Sequence, residues 1–329
     1  MRVGIVFELL RPVPPATGLP ADAFDEYEPE ETIALLEAAL ATIDVESVRL
    51  GGPRELLAKA AEGGPDVDAA LNIAEGYGTR NREAWAPVLL EMWGIPTLGS
   101  DALTLSASLD KVWTKRIVSG AGVRVAPDVS LSGALTAETA LPAPFPLFVK
   151  PRWEGTAKGI DQRARVENLR ELWAAVSEIQ RIYRQPALVE PFLPGAEYTV
   201  TVVGHDPPRA LPALQRALDR ETGIGAHVFD RDAEPPRAHE LPGSLDRGLE
   251  AALADDARKA FDALSCLDFA RVDFRLDAAG QPHFLEINPL PTFAPDSSFG
   301  ILAELEGRPA QELIGEVLAE GLQRLRLRP

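Results

Sequence analysis

The chain has almost no cysteine: Cys266 stands alone among 329 residues, so no disulfide can form within it. Its neighbours Leu264, Leu267 and Phe269 place the thiol in apolar packing rather than in a nucleophilic site. Histidine is scarce as well, with four scattered residues. No Cys-His or Ser-His-Asp arrangement emerges from them, so covalent catalysis by a side chain is not expected. Long apolar runs are missing, and no segment approaches the roughly 20 residues of a membrane span. The apolar run in residues 1–8 is too short for a signal peptide and reads as a buried first strand. Cytoplasmic residence without a membrane partner is the resulting expectation. Basic charge is in deficit, 33 Lys and Arg against 50 Asp and Glu for a net charge of −17, which disfavours nucleic acid as a partner. Any polyanion bound here must meet a local cationic patch. Repeats and low-complexity tracts are absent, apart from a proline-rich loop at residues 12–20.

What is present is a globular composition, 46% hydrophobic and 25% charged, in a chain long enough for about two to three domains. Residues 1–100 alternate short apolar runs with amphipathic stretches, as a small parallel sheet covered by helices would. Strands are predicted at 1–8 and 69–73, and helices at 30–42 and 83–93. A loop with Glu75, Gly76, Tyr77 and Gly78 leaves the second strand at its carboxyl end, where open sheets bind ligands. A second unit, 101–185, is predicted to hold a helix at 109–118, a strand at 145–150 and a helix at 168–182. The third unit, 186–329, carries strands at 187–192 and 197–203, a helix at 249–264, a hairpin and a closing helix near 311–325.

That hairpin holds the densest chemistry. Side chains alternate along a strand, so Arg271, Asp273 and Arg275 share one face and Val272, Phe274 and Leu276 the other. After the turn at Asp277-Ala278-Ala279-Gly280, Glu286 and Asn288 share a face, and cross-strand pairing brings Asp273 beside them. Two carboxylates and a carboxamide are hard oxygen donors of the kind that hold magnesium against phosphates. A hairpin with one solvated polar face would explain an isolated acidic pair. It leaves unexplained Arg271 beside the acids and the exit Asn288-Pro289-Leu290-Pro291.

Upstream, Lys111 and Lys150 stand where a helix or strand meets a loop, and either could neutralise phosphate oxygens. Lysines at element edges are commonly just solvated. Lys150, though, ends an apolar strand, is fixed by Pro151 and precedes Gly155-Thr156-Ala157-Lys158-Gly159, a turn whose backbone N–H groups suit an anion. A plain hairpin turn explains that pentapeptide equally well by itself. Glu190 and Glu197 flank an apolar linker suited to gripping a purine with main chain and a ribose with carboxylate, although a strand-turn-strand connection explains much of it.

As an ordered set along nearly the whole chain, these motifs resemble the ATP-grasp superfamily and, within it, the D-alanine-D-alanine ligases. The resemblance implies an α/β and α+β fold of three domains, with an N-terminal parallel-sheet domain and ATP clamped between the central and C-terminal lobes. It matches Lys111 and Lys150 to phosphate-contacting lysines, and the segment from Glu154 to Ile160, with Gly155, Thr156 and Gly159, to a flexible loop over the phosphates. Glu190 matches a hinge glutamate near adenine, Glu197 a ribose ligand, and Asp273, Glu286 and Asn288 the ligands of magnesium, two ions with manganese as the alternative. Arg271 matches the arginine that steadies an acyl phosphate, Ser297 a serine near the second substrate's carboxylate, and Glu75 lies in the loop facing the first substrate. ATP, small amino-acid or peptide substrates and a homodimer are the implied partners.

The chain departs from the family at several points. Phe7-Glu8-Leu9-Leu10-Arg11-Pro12 replaces the segment whose glutamate binds the first substrate's amine, leaving Glu8 and Glu75 as substitutes. Residues 215–232 stand where the family carries a loop over the site, Thr292 follows Pro291 where glycine is usual, and Lys158 adds a cation to the glycine loop. The expected activity is an ATP-dependent carboxylate-amine ligase, joining two D-alanines or, nearly as well supported, other amino acids or peptides. A catalytically idle nucleotide binder has no chemical need to keep Asp273, Glu286 and Asn288 together.

Overall fold

The computed structural model describes residues 1–10, 18–133, 140–216 and 245–327. Three sheets organise them. The first is parallel throughout, in the order β2-β1-β3-β4, formed by β1 (Arg2–Val6), β2 (Glu46–Gly51), β3 (Ala69–Asn72) and β4 (Thr97–Leu98). Helix α1 (Glu30–Thr42) covers it, burying Ile33, Leu36, Ala39 and Leu40 at helical spacing while Glu30 and Glu31 face the positive end of its dipole. Strand β2 and the short α2 (Pro53–Ala58) carry no strong periodicity and were not anticipated. The helix expected over 83–93 is a 3-10 turn, Arg82–Ala84, running into α3 (Trp85–Met92).

The helix expected over 109–118 is α5 (Lys111–Gly120), and a further helix, α4 (Ala102–Leu109), precedes it. The break is at Asp110, which is extended at ψ 96° and caps α5 by accepting from Val112 N and Trp113 N. That cap sets Lys111 at the first position of the new helix.

The second sheet runs β5-β8-β6-β7, from β5 (Val129–Leu131), β6 (Leu147–Pro151), β7 (Arg165–Val166) and β8 (Ala187–Pro191), and is backed by α6 (Leu169–Tyr183). Because β8 pairs with both β5 and β6, a boundary at 185 cuts this sheet, and the division between the sheets falls after Pro191. The strand was assigned to the following unit because adjacency in sequence gives no sign of its partners.

The third sheet contains β9 (Glu197–Val203), β10 (Arg209–Ala210), β11 (Leu214–Arg216), β12 (Phe269–Leu276) and β13 (Pro282–Asn288), with α7 (Arg247–Ala263) on its apolar face. Of residues 215–232, those from 217 onward lie outside the described residues. The chain then returns through α8 (Ser298–Glu306) and α9 (Ala310–Arg324) to the first sheet, where Ile314, Val317 and Leu318 share a core with Ile33 and Leu36. Gly315 permits that approach: a Cβ there would stand 2.9 Å from Ala39 O. Cys266 is buried in the α7 core and its thiol is pushed up to about 12 by desolvation, as expected of a packing residue.

Candidate active site

The hairpin register places the three oxygen donors together. Asp273 lies opposite Glu286 and Arg271 opposite Asn288, and a bulge between Asp273 and Phe274 displaces the remainder of the ladder by one residue. Arg271 Nη2 is 3.0 Å from Asp273 Oδ2, and Thr199 Oγ1 donates to Asp273 Oδ1 at 2.7 Å from the neighbouring strand. Asn288 Oδ1 accepts from Leu290 N at 2.9 Å, which fixes the turn into Pro289. Lys111 Nζ is 3.0 Å from Glu286 Oε2 and also donates to Glu154 O at 2.5 Å. Burial opposes ionisation of Glu286, but Lys111, Lys150 and Arg271 outweigh it and hold the carboxyl down at about 2. An ionised carboxylate beside a second acid and a carboxamide is a donor set that fits magnesium.

Lys150 is buried at the end of β6, its Nζ 2.9 Å from Glu190 Oε2, while Lys115 Nζ pairs with Glu190 Oε1. Burial disfavours the Lys150 charge, yet Glu190 and Glu286 keep the ammonium above the ordinary lysine value. Glu190 is conversely held at about 2: desolvation is overcome by Lys150 and Lys115. Both of its oxygens therefore face lysines, so the side chain orders the cations. Lys115 was missed in the sequence, although it lies one helical turn beyond Lys111. Glu197 is buried with Arg275 Nη1 at 3.4 Å from Oε2, and desolvation raises its pKa.

The glycine loop turns on positive φ at Thr156 (47°), Ala157 (55°) and Gly159 (71°). Gly155 N donates to Glu26 Oε1 at 2.7 Å and Gly159 N to Asp22 Oδ2 at 3.1 Å, so carboxylates from the segment before α1 occupy amides expected to face phosphate. Lys158 points inward, 2.5 Å from both Glu26 Oε2 and Glu154 Oε2. Arg82 joins them, 2.7 Å from Glu26 Oε1. Glu26 and Arg82 were not anticipated, since no periodicity in the sequence marks them; only folding brings them to the loop.

A cleft with about 420 Å³ of empty space, part of it open to solvent, is lined by Lys111, Arg271, Glu286 and Asn288 together with Gly155, Thr156, Glu26, Glu75 and Glu83. Lys150, Gly159, Glu190, Glu197, Asp273 and Ser297 are not on its wall. Ser297 caps α8, its side chain accepting from Gly300 N. Glu8 accepts from Gly76 N at 2.8 Å and so braces the Glu75 loop. Thr292 Oγ1 donates to Glu28 Oε2 at 3.0 Å, tying the loop after Asn288 to the start of α1.

A family model described as the C-terminus of D-ala D-ala ligase matches residues 125–319, more than half of the chain. The chain belongs to the D-alanine-D-alanine ligase family. A D-alanine-D-alanine ligase of Alcanivorax borkumensis is 34% identical over 78% of this chain and 78% of its own length. Among solved structures, the D-alanine-D-alanine ligase of Bacillus anthracis in complex with ATP superposes with a TM-score of 0.73 at 21% identity, covering 99% of each chain. The VanG D-Ala:D-Ser ligase of Enterococcus faecalis gives 0.70 at 19% identity, covering 97% of this chain and 99% of its own. These neighbours share the ATP-grasp fold expected from the motifs. As a family member this chain is an ATP-dependent carboxylate-amine ligase acting on small substrates. No helix among the described residues is long and apolar enough to cross a membrane.

Proposed function

We propose that the chain joins two amino acids, D-alanine with D-alanine in the first instance, at the cleft between Arg271, Glu286 and the glycine loop. The observation that carries this reading is the junction of Lys111 with Glu286, which line one cleft with Arg271 and Asn288. A substrate carboxylate attacks the terminal phosphate of ATP, and the amine of the second substrate then displaces phosphate from the acyl phosphate to leave an amide. Lys111 and Lys150 bind phosphate oxygens, with Gly155, Thr156 and Gly159 closing over them once Glu26 and Asp22 yield their amides. Arg271 steadies the developing oxyanion. Asp273, Glu286 and Asn288 would hold magnesium, which supplies neutralisation of the charge moving between triphosphate and acceptor. Glu197 faces ribose, Glu190 orders Lys150 near the adenine end, Glu75 contacts the first substrate, and Ser297 shapes the loop around the second. A homodimer in the cytoplasm completes the proposal.

The test is phosphate release from Mg-ATP across D- and L-amino acids and dipeptides, with the mass of each product measured. A D-alanyl-D-alanine product supports the reading. Release only with other pairs moves the activity to a related amide ligase, and silence throughout would overturn the ligase proposal.

A further inference from the structure

Asp110 does more than cap α5. Its contacts as a cap are long, Oδ1 accepting from Val112 N at 3.2 Å and from Trp113 N at 3.3 Å, and Asn or Ser would cap as well. The short contacts of the carboxylate go to another element. Arg152 Nε donates to Oδ1 at 2.7 Å and Arg152 Nη2 to Oδ2 at 2.8 Å, a two-pronged pair of the strong, geometrically exacting kind. Trp153 Nε1 adds a bond to Oδ2 at 3.2 Å, and Arg80 Nη1, from the connection between β3 and α3, stands 3.5 Å from the same oxygen. Only 3% of Asp110 is exposed, so water does not compete for these bonds.

The partners lie on both sides of the phosphate-type lysines. Asp110 immediately precedes Lys111 at the start of α5, and Arg152 comes two residues after Lys150, just past the end of β6. Trp153 then leads through Glu154 into the glycine loop. Main-chain bonds cross the same junction, Lys111 N donating to Arg152 O at 3.3 Å and Lys111 Nζ to Glu154 O at 2.5 Å. Glu286 faces both lysines, so two cations from separate elements converge on one anion. An ionised carboxylate with both oxygens engaged is what a cap does not need and a junction between two elements does.

We propose that Asp110 is a positioning residue for the nucleotide: its pair with Arg152 pins the strand end carrying Lys150, and the glycine loop after it, to the helix start carrying Lys111, so that both ammonium groups meet one triphosphate. The inference rests on the reading of Lys111 and Lys150 as phosphate ligands and adds to it the group that sets their spacing.

The test measures the Kd of a non-hydrolysable Mg-ATP analogue by calorimetry, the amino-acid KM at saturating ATP and the melting temperature. The proteins are wild type, Asp110→Asn, Arg152→Lys, Arg152→Ala and the double variant Asp110→Asn with Arg152→Ala. Asp110→Asn keeps the cap and removes the charge. Loss of the charge-assisted pair should raise the nucleotide Kd about tenfold in Asp110→Asn and Arg152→Ala, with the amino-acid KM unmoved. Arg152→Lys should recover little, since lysine lacks the fork. The double variant should bind no worse than the weaker single one, the mark of two residues acting as one unit, and millimolar guanidinium should restore part of the affinity of Arg152→Ala. If Arg152→Ala does not fold, Asp110→Asn and Arg152→Lys carry the test at nearly unchanged volume. An unaltered nucleotide Kd in the folded variants overturns the proposal, as do additive losses in the double variant or an amino-acid KM that rises in step. No phosphate release with any amino acid counts against the ligase reading alone, because the binding measurements stand without turnover.

Discussion

Lys111 Nζ and Glu286 Oε2, 3.0 Å apart, join the first residue of α5 to the one acid of β13. The contact depends on the Asp110 cap, since a continuous helix through residue 110 would carry Lys111 to a different azimuth. It unites a phosphate-type cation with a metal-type anion in one ion pair, and the predictions below begin from it.

Glu286→Gln keeps the shape of the side chain but removes its charge, which Lys111, Lys150 and Arg271 all face. Turnover of Mg-ATP should fall by more than ~100-fold, since even residues supporting a metal ligand cost 10–100-fold. Circular dichroism should be unaltered. A variant retaining full turnover would sink the assignment of Glu286 as a metal ligand.

Glu190→Gln would leave Lys115 and Lys150 buried without their shared anion. Breaking one side of a buried pair costs about 3–5 kcal/mol, read as a lower denaturation midpoint at pH 7. The sign follows from the depressed pKa: Glu190 stabilises the fold above its unfolded value of about 4.5 and loses this as pH falls through about 2. The gap between wild type and variant should therefore narrow from pH 5 to pH 2.

Glu83 has the opposite sign. Its folded pKa, raised to about 7 by burial, means that the native state retains a proton which the unfolded chain releases near pH 4.5. Wild-type stability should decline relative to Glu83→Gln between pH 5 and pH 8, by about 1–3 kcal/mol from a shift of this size. Thermal unfolding of both proteins across that range checks the trend, and a flat difference would show that Glu83 is not buried as an uncompensated acid.

Gly159→Ala meets two obstacles. The residue has φ 71°, and a Cβ would stand 2.6 Å from Pro151 Cγ and 2.9 Å from Tyr183 Cε2. A loss of about 1–3 kcal/mol is expected from the strained backbone and overpacking. If the loop covers phosphate, the KM for ATP should rise while the mutated fold still forms. A thermal melt alongside ATP titration separates the two effects.

Much of the fold was legible because burial imposes periodicity. The 3.6-residue spacing of Ile33, Leu36 and Leu40 gave α1 its bounds, and the alternation in the 269–288 hairpin gave the face shared by Asp273, Glu286 and Asn288. Helix α4 was not anticipated, and the break at Asp110 that separates it from α5 is visible only in the capping geometry. Strand β8 pairs with β5 and β6 rather than with the strands that follow it, a choice invisible in sequence because strand partners are set over long separations.

The sequence by itself determined the local elements, the order of the motifs and the donor types at Lys111, Lys150, Arg271, Asp273, Glu286 and Asn288, since these depend on side-chain chemistry and short-range spacing. Tertiary structure alone decided which charges meet. Glu26 reaches the glycine loop from 129 residues away, and Lys115 reaches Glu190 across 75. Glu83 stands 3.9 Å from Arg82 Nη2, whose closer partner is Glu26 at 2.7 Å. A residue's charge is written in the chain, but its counter-charge is fixed by folding, and in a buried cleft that pairing decides which carboxylates order the protein and which remain open to a substrate.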